Sequence, residues 1–200
     1  MPNRSFALLS ALLAAFAITL AAGARADETD RAVMLVAQPD LADPLYSATV
    51  LIAKPTPEGG HIGFIINKPT SAQLGDVFPE HAPSKKVVDP LFLGGPSGLD
   101  VVFALVERHG AKQKDGTMQM APDLFLAVQD TDVDHVIETE SDHARFFVGV
   151  VVWRPGELDS EMKRGLWYAM DPDPKLVLRK HTEGMWEELV RKGADREHSI

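Results

Sequence analysis

The sequence predicts an α+β fold, a single domain whose mixed and largely antiparallel curved sheet carries a few short helices. Short apolar runs typical of strands outnumber helical patterns, and many follow one another directly along the chain. Two such runs, at 47–53 and 61–67, flank the turn-rich stretch KPTPEGG, which is a hairpin pattern. The 200 residues contain no internal repeat and no evident linker, which favours one domain.

The first half of the chain contains predicted strands and one predicted helix. Each strand is a short apolar run bounded by turn formers, and these runs lie at 32–37, 47–53, 61–67, 90–93 and 100–107. Pro69 ends the third strand because proline donates no backbone hydrogen bond. Thr70 and Ser71 are suited to cap a short helix over 72–78.

The second half contains further predicted strands, separated by polar stretches. The apolar runs lie at 124–129, 145–153, 166–170 and 175–179. The run at 145–153 is the most apolar, so we expect it to be a central strand. We expect 108–123 to be a mobile excursion, and 130–144 is a second polar stretch.

Two more helices are predicted towards the C-terminus. Pro155 suits the first turn of one helix, which ends at Gly165. Thr182 is suited to cap a last helix over 183–192, and Gly193 is expected to end it.

The first 26 residues have the pattern of a secretory signal peptide. A lone Arg4 precedes an uncharged apolar run at 6–24, and the stretch ends in Ala24-Arg25-Ala26. These small residues predict cleavage between Ala26 and Asp27, and hence a periplasmic protein. The alternative is an uncleaved anchor, because the run approaches the ~17 to 25 residues that span a bilayer. The predicted organisation is a signal peptide over 1–26, one domain over 27–192 and a flexible tail over 193–200.

Charge and composition restrict the class of partner. The net charge is −9, and a nucleic-acid binder needs clustered Lys and Arg, so we expect no nucleic-acid partner. The chain has no cysteine, which excludes thiol chemistry, thiolate zinc sites and iron–sulfur clusters. No second apolar segment is long enough to span a membrane after cleavage. We expect no cofactor, and a partner that is a protein or small molecule of the cell envelope.

The stretch FLGGPSGLD at 92–100 suggests a phosphate loop or a nucleophile elbow, but completes neither motif. A phosphate loop needs Lys and then Ser or Thr after its last glycine, whereas Asp100 follows here and would repel phosphate. The glycine spacing also differs from the dinucleotide fingerprint. A nucleophile elbow is one residue short at Ser97. The preferred interpretation is a tight turn rigidified by Pro96, with a hydrolase that uses Ser97 and a histidine base as the alternative.

Acidic residues in two places suggest metal binding or catalysis. Asp130, Asp132 and Asp134 alternate as in a calcium loop, but His135 and Ser141 stand where glycine and glutamate are required, so we expect a solvated acidic edge and no metal.

Glu157 and Glu161 lie four apart on a predicted helix, and we expect them to face solvent. Trp153, Trp167 and Trp186 lie beside apolar runs, and core packing is the usual role of such residues.

Four stretches together resemble the YqgE/AlgH family of bacterial proteins. They are MLVAQPDLADPLYSATVLIA, GHIGFIINKPT, PLFLGGPSG and FFVGVVVWRPGELDSEMKRGLWY, which together span residues 34 to about 170. The resemblance implies a single α+β domain with a strongly curved, partly barrel-like sheet and no established reaction. The AlgH name carries an association with transcriptional regulation of alginate synthesis, which an exported acidic protein fits poorly.

The chain departs from the family pattern at three places. It has Lys54-Pro55 where Glu-His is usual, Ser97 where valine is usual, and Glu157 where glutamine is usual. Any polar site that the family shares is therefore altered here.

We predict a non-catalytic envelope protein that binds a ligand or partner through three loops, each of which ends a predicted strand. The loops are expected to cluster, and their residues are Asn67, Lys68 and Pro69; Gly94, Gly95, Pro96 and Ser97; and Trp153, Gly156 and Glu157. The alternatives are the Ser97 hydrolase and, if the leader is not used, a cytoplasmic regulator of the AlgH type.

Overall fold

A computed structural model of the chain describes residues 31–110 and 117–197. All of its strands and helices belong to one compact unit that begins at Ala32. The fold is a single α+β domain in which a curled, largely antiparallel sheet forms a half-barrel, so the predicted fold class is confirmed. The predicted signal peptide and its cleavage site lie outside the described residues.

The sheet has ten strands in the order β10-β1-β2-β3-β9-β6-β8-β7, with β5 joining β9 and β4 joining β5. In chain order the strands are β1 Val33–Ala37, β2 Val50–Pro55, β3 His61–Ile65, β4 Pro69–Gln73, β5 Pro90–Leu93, β6 Ser97–Glu107, β7 Thr117–Ala121, β8 Leu124–Ala127, β9 Ala144–Trp153 and β10 Trp167–Met170. The pairing of β5 with β9 is parallel, and the other pairings among these strands are antiparallel.

The part of the chain that the structure describes contains five α-helices, which cover the sheet. They are α1 Leu74–Val77, α2 Asp130–Thr139, α3 Glu157–Lys163, α4 Pro174–Val177 and α5 Met185–Glu197. Single 3-10 turns at Ser84–Lys86 and Ser141–His143 precede β5 and β9. In the part of the chain that the structure describes, no helix is long and apolar enough to cross a bilayer.

Strand β9 is buried on both faces over most of its length, which explains the long apolar run predicted to be central. Successive strand residues point to opposite faces, so Phe147 enters the cluster inside the half-barrel and Phe146 enters the cluster beneath α2. Inside the half-barrel, the ring centroid of Phe64 lies 5.2 Å from that of Phe147 and 5.3 Å from that of Phe103. A third cluster, which includes Leu158, lies beneath α3.

The stretch FLGGPSGLD carries the chain across β9 from one strand edge to the other. Strand β5 pairs with one edge of β9 through Phe92 and Phe147, and Ser97 pairs with Val150 on the edge that β6 occupies. Between them Gly94-Gly95-Pro96 crosses the β9 backbone, and we call this segment the crossing. The predicted tight turn is therefore a crossing, and β6 begins at Ser97 rather than near residue 100.

The crossing brings backbone against backbone. A Cβ atom on Gly94 would lie 2.3 Å from the carbonyl oxygen of Gly149, and one on Gly95 would lie 2.2 Å from the carbonyl carbon of Val150. Gly149 has φ +73°, and a Cβ there would lie 2.2 Å from the carbonyl oxygen of Gly95. Real Cβ atoms do not approach backbone this closely, so these glycines are required by space.

The segment after Pro69 is a strand rather than the start of a helix, so the predicted cap at Thr70 or Ser71 is wrong. The Thr70 hydroxyl donates to the carbonyl of Leu91 at 2.9 Å, which ties the segment to β5 as strand β4. Helix α1 begins only at Leu74, and the backbone N–H of Gln73 donates to Asp76 at 2.8 Å in a capping box.

Two polar stretches hold elements that the sequence analysis missed. Part of the predicted mobile excursion is β7, which pairs with β8 and buries Met120. The stretch that follows β8 forms helix α2, which packs Val133, Val136 and Ile137 on the sheet. Its acids conceal an apolar stripe with helical spacing.

Two predictions near the C-terminus are also wrong. The predicted strand at 175–179 contains α4, because Asp173 accepts a hydrogen bond from the N–H of Lys175 at 2.9 Å and a proline opens the helix. Helix α5 does not end at Gly193 but continues to Glu197. A Cβ at Gly193 would lie 2.6 Å from Cγ of Tyr168, so this glycine permits close packing on β10.

We predict that Gly95→Ala destabilises the fold by about 3 kcal/mol or more, because the added methyl group overlaps the β9 backbone. Gly98→Ala is the matched control, since Gly98 lies just after the crossing and its Cβ would meet only a side-chain atom at 4.0 Å. Its φ of +64° limits the expected cost to about 1 kcal/mol. Urea unfolding followed by circular dichroism measures both, and equal losses would contradict the backbone contact.

Candidate functional site

Asn67 and Lys68, both predicted binding residues, hold the segment before β2. The Asn67 amide donates to the carbonyl of Ala48 at 2.9 Å and accepts from the N–H of Val50 at 2.8 Å. The Lys68 ammonium donates to the carbonyl of Leu45. Burial lowers the pKa of Lys68. These side chains are therefore occupied within the fold.

The structure brings two of the three predicted loops together and separates the third. The N–H of Leu93 donates to the carbonyl of Lys68 at 2.9 Å, so Asn67–Pro69 adjoins the crossing. Strand β9 pairs with Ser97 at Val150 but reaches β3 with Trp153, about 10 Å further along at ~3.3 Å per residue. The turn over 153–157 therefore lies at the far end of β9, beside the β2–β3 hairpin. Pro69, Pro96, Ser97, Gly156 and Glu157 are exposed, whereas Gly94, Gly95 and Trp153 are buried.

Ser97 has no histidine base among the residues that the structure describes. Its side chain is exposed, and among the described residues no histidine nitrogen is hydrogen-bonded to its hydroxyl. A serine–histidine pair exists elsewhere: His81 Nδ1 lies 2.7 Å from Ser84 Oγ, and His81 Nε2 lies 3.7 Å from Glu138. Ser84 is fully buried, so no substrate can reach its hydroxyl.

Glu161 is half-buried and joins two tryptophans, so its predicted exposure is wrong. The indole N–H groups of Trp153 and Trp167 both donate to one of its carboxylate oxygens, at 3.0 and 2.8 Å. Burial and the Glu161 charge raise the pKa of Tyr46, whose ring meets that of Trp167 edge-on at 6.2 Å. The carboxylate thus fixes α3 to β9 and β10. Glu157 is exposed, as predicted, and accepts from the backbone of the preceding turn.

The remaining predicted candidates lie in ordinary structural positions. Asp130, Asp132 and Asp134 belong to helix α2 rather than to a loop, so their carboxylates cannot wrap a calcium ion as a calcium loop does. Over residues 31–110 and 117–197 no group of three or more acidic or histidine side chains is arranged to hold a metal ion.

Arg145 is a buried cation that the sequence analysis missed. It lies in β9, opposite Leu105 of β6, and only 5% of its surface is exposed. Its guanidinium donates to the carbonyls of Ile66, at 2.8 Å, and Arg179, and it stacks 4.1 Å above the ring centroid of Phe92. The signal in the sequence was a single arginine in the most apolar run of the domain.

Arg145 forms no ion pair with any residue that the structure describes. The charge of Asp89 acts to raise the pKa of Arg145, but the carboxylate of Asp89 pairs with Lys180 at 3.2 Å. Burial lowers the pKa of Arg145 to about 10, so the group stays charged at neutral pH. A buried charge without a counter-ion is costly, because no water replaces the lost hydration.

The neighbouring charges, in contrast, are paired. Arg179 Nη1 lies 2.7 Å from Glu188, and Lys192 lies 2.7 Å from the same carboxylate. These donated hydrogen bonds lower the pKa of Glu188 to about 2. Arg179 also repels the charge of Arg145, which adds to the need for a negative group there.

A cavity of about 280 Å³ adjoins Arg145. It lies between β5, the beginning of β9 and the segment around α4. Its wall combines cations, acids and apolar groups: Arg145, Lys175, Lys180 and His143; Asp89, Glu107 and Asp142; and Pro90, Phe92, Ala144, Phe146 and Leu178. An unpaired buried cation in the wall of a cavity is an arrangement that a ligand with a negative group would complete.

The fold and this site define a class of protein, a half-barrel α+β domain with a buried arginine beside a cavity. The chain belongs to the AlgH-like family, whose sequence model matches residues 34–196. The resemblance to the YqgE/AlgH family is thereby confirmed.

Relatives and solved structures agree with this assignment. UPF0301 protein CT0663 of Chlorobaculum tepidum is 32% identical over 166 residues, which cover 81% of this chain and 86% of the relative. A UPF0301 protein of Streptomyces avermitilis is 28% identical over 162 residues, which cover 80% of this chain and 84% of the relative. The names of these relatives give a family and no activity.

Two solved structures share the fold. The crystal structure of protein DIP2367 from Corynebacterium diphtheriae matches with a TM-score of 0.68 and 22% identity, over 82% of this chain and 86% of that one. The solution structure of the AlgH protein from Pseudomonas aeruginosa matches with a TM-score of 0.65 and 23% identity, over 80% of this chain and 86% of that one.

We predict that Glu161→Gln destabilises the domain by about 1 to 3 kcal/mol, because an amide oxygen is a weaker acceptor for two indole N–H groups than a carboxylate. Asp159→Asn, an exposed acid on the same helix, should cost less than about 0.5 kcal/mol. Urea unfolding at pH 8 followed by tryptophan fluorescence compares them, and an equal effect of both substitutions would refute the bridging role of Glu161.

Proposed function

We propose that this protein is exported and acts in the cell envelope as a non-catalytic binding protein, with the cavity beside Arg145 as its ligand site. The observation that carries the proposal is the burial of Arg145 in the cavity wall without an acidic partner among the described residues. A ligand whose negative group pairs with the Arg145 guanidinium gains an ion pair that water cannot replace in a buried site.

The architecture around Arg145 favours binding through a preformed site. Two carbonyls and the Phe92 ring hold the guanidinium in place, so little side-chain freedom is lost when a ligand arrives. The carbonyls belong to backbone anchored by regular structure, because Ile66 lies directly after β3 and Arg179 lies two residues after α4. A preorganised donor of this kind improves affinity without new contacts.

The cavity wall disfavours a serine-type hydrolase. Its described residues include no hydroxyl or thiol side chain that could act as a nucleophile. Ser97 lies outside the wall and its hydroxyl is not hydrogen-bonded to a histidine in the described part of the chain. The serine-hydrolase alternative therefore lacks both the cavity and the base that its chemistry needs.

Export rests on the pattern of the first 26 residues, and a fractionation experiment tests it. We expect the protein in the periplasmic fraction, beginning at Asp27 by intact-mass measurement. Ala26→Leu should block cleavage and leave the longer chain at the membrane, because signal peptidase needs a small residue there. Recovery from the cytoplasm with the leader intact would refute export and favour the cytoplasmic regulator.

Capture of a ligand tests the binding function. We predict that protein purified under mild conditions from envelope extract carries a small molecule, detected by native mass spectrometry as a mass that denaturation releases. Arg145→Gln should lose it, whereas Arg154→Gln, at an arginine whose side chain is 87% exposed, should retain it. Ala144→Leu, which narrows the cavity but keeps the charge, should also reduce capture. Equal capture by wild type and both cavity variants would refute the site.

A further inference from the structure

We propose that the ligand of the Arg145 cavity is a small organic monocarboxylate with an apolar body. This inference rests on the proposed binding function and names the class of molecule that the site would take. Three features of the wall lead to it: the free donors of the guanidinium, the apolar groups around it, and the acids at the cavity margin.

The planar guanidinium of Arg145 favours a planar oxyanion as its binding partner. Its two hydrogen bonds go to carbonyl oxygens, and its remaining N–H donors have no acceptor among the described residues. A carboxylate matches the planar fork of a guanidinium and can accept two parallel N–H groups. Stacking on Phe92 holds the plane of the fork, so the orientation of the bound carboxylate is set in advance.

The groups beside Arg145 favour an apolar body of limited size. Phe92, Phe146 and Leu178 contribute to the wall, and they offer aromatic and aliphatic surface rather than hydrogen bonds. The cavity volume of about 280 Å³ falls just below the range of roughly 300 to 1,000 Å³ typical of sites for drug-sized ligands. A short-chain acid or a single-ring acid is therefore the appropriate scale.

The margin of the cavity disfavours a second negative charge. Glu107 and Asp142 contribute carboxylates to the wall, and Glu107 lies 3.6 Å from the ring nitrogen of His109 outside it. Lys180 is already paired with Asp89, which leaves Lys175 as the other lysine in the wall. A phosphate or dicarboxylate would place its extra charge near these acids, so a single negative charge fits best.

Isothermal titration of the purified protein with benzoate and butyrate tests the class of ligand. The neutral amides benzamide and butyramide have the same shape without the charge, and inorganic phosphate has charge without an apolar body. We expect at least one of the two acids to bind about ten-fold or more tightly than its amide, and phosphate to give no heat at concentrations that saturate the acid. Equal binding of acid and amide, or preferred binding of phosphate, would overturn the inference.

Variants assign the binding to the cavity. Arg145→Gln should abolish acid binding while circular dichroism stays native. Asp142→Asn removes a repelling carboxylate from the exposed margin, so binding of the carboxylic acid ligand should tighten about two- to five-fold. This variant tests the inference if Arg145→Gln does not fold. Asp134→Asn, an exposed acid that faces a different cavity, should leave affinity unchanged. Unchanged or weaker affinity in Asp142→Asn would overturn the inference.

The two proposals fail in different ways. A captured molecule that lacks a carboxylate, but is lost in Arg145→Gln and Ala144→Leu, would leave the binding function intact and overturn the monocarboxylate. Absence of any captured molecule, together with no acid binding, would overturn both.

Discussion

The crossing of the chain over β9 is the contact on which the rest of this structure depends. Gly94 and Gly95 lie against the backbone at Gly149 and Val150 with no room for a Cβ atom on either side. The crossing lets β5 lie parallel to one edge of β9 while β6 pairs with the other edge. Strand β9 therefore pairs with β3 and β5 along one edge and with β6 along the other.

The same crossing also builds the candidate site. Because β5 is held beside β9, Phe92 stacks on Arg145, and Asp89 and Pro90 form one wall of the cavity. The segment around α4 forms another wall and supplies the carbonyl of Arg179 that fixes the guanidinium. A buried charge is tolerated here because the fold provides carbonyls and an aromatic face. Because these groups are rigid, the part of the guanidinium that faces the cavity stays available to a ligand.

The sequence predicted those parts of the fold that depend on local pattern. Apolar runs located most strands, and both faces of β9 are buried over most of its length, as its continuous run indicated. The apolar stripe of α2 was not recognised as helical, because acidic residues surround Val133, Val136 and Ile137 in the sequence. The crossing could not be predicted, since it pairs Gly94 and Gly95 with a glycine more than fifty residues away. The site was missed for a similar reason: Arg145 was visible, but its missing counter-ion is a property of the assembled fold.

The crossing also constrains the order in which the molecule can form. The pairings of β3, β5 and β6 with β9 cannot form until β9 is present. Strand β9 follows these strands in the chain by about forty residues or more. Contacts between such distant segments slow folding, because a long loop must close before they form. The half-barrel therefore lacks its central strand until Ala144–Trp153 of the 200 residues have been synthesised. For the export that we propose, slow closure of the half-barrel would be an advantage, because an exported chain passes the membrane before it folds.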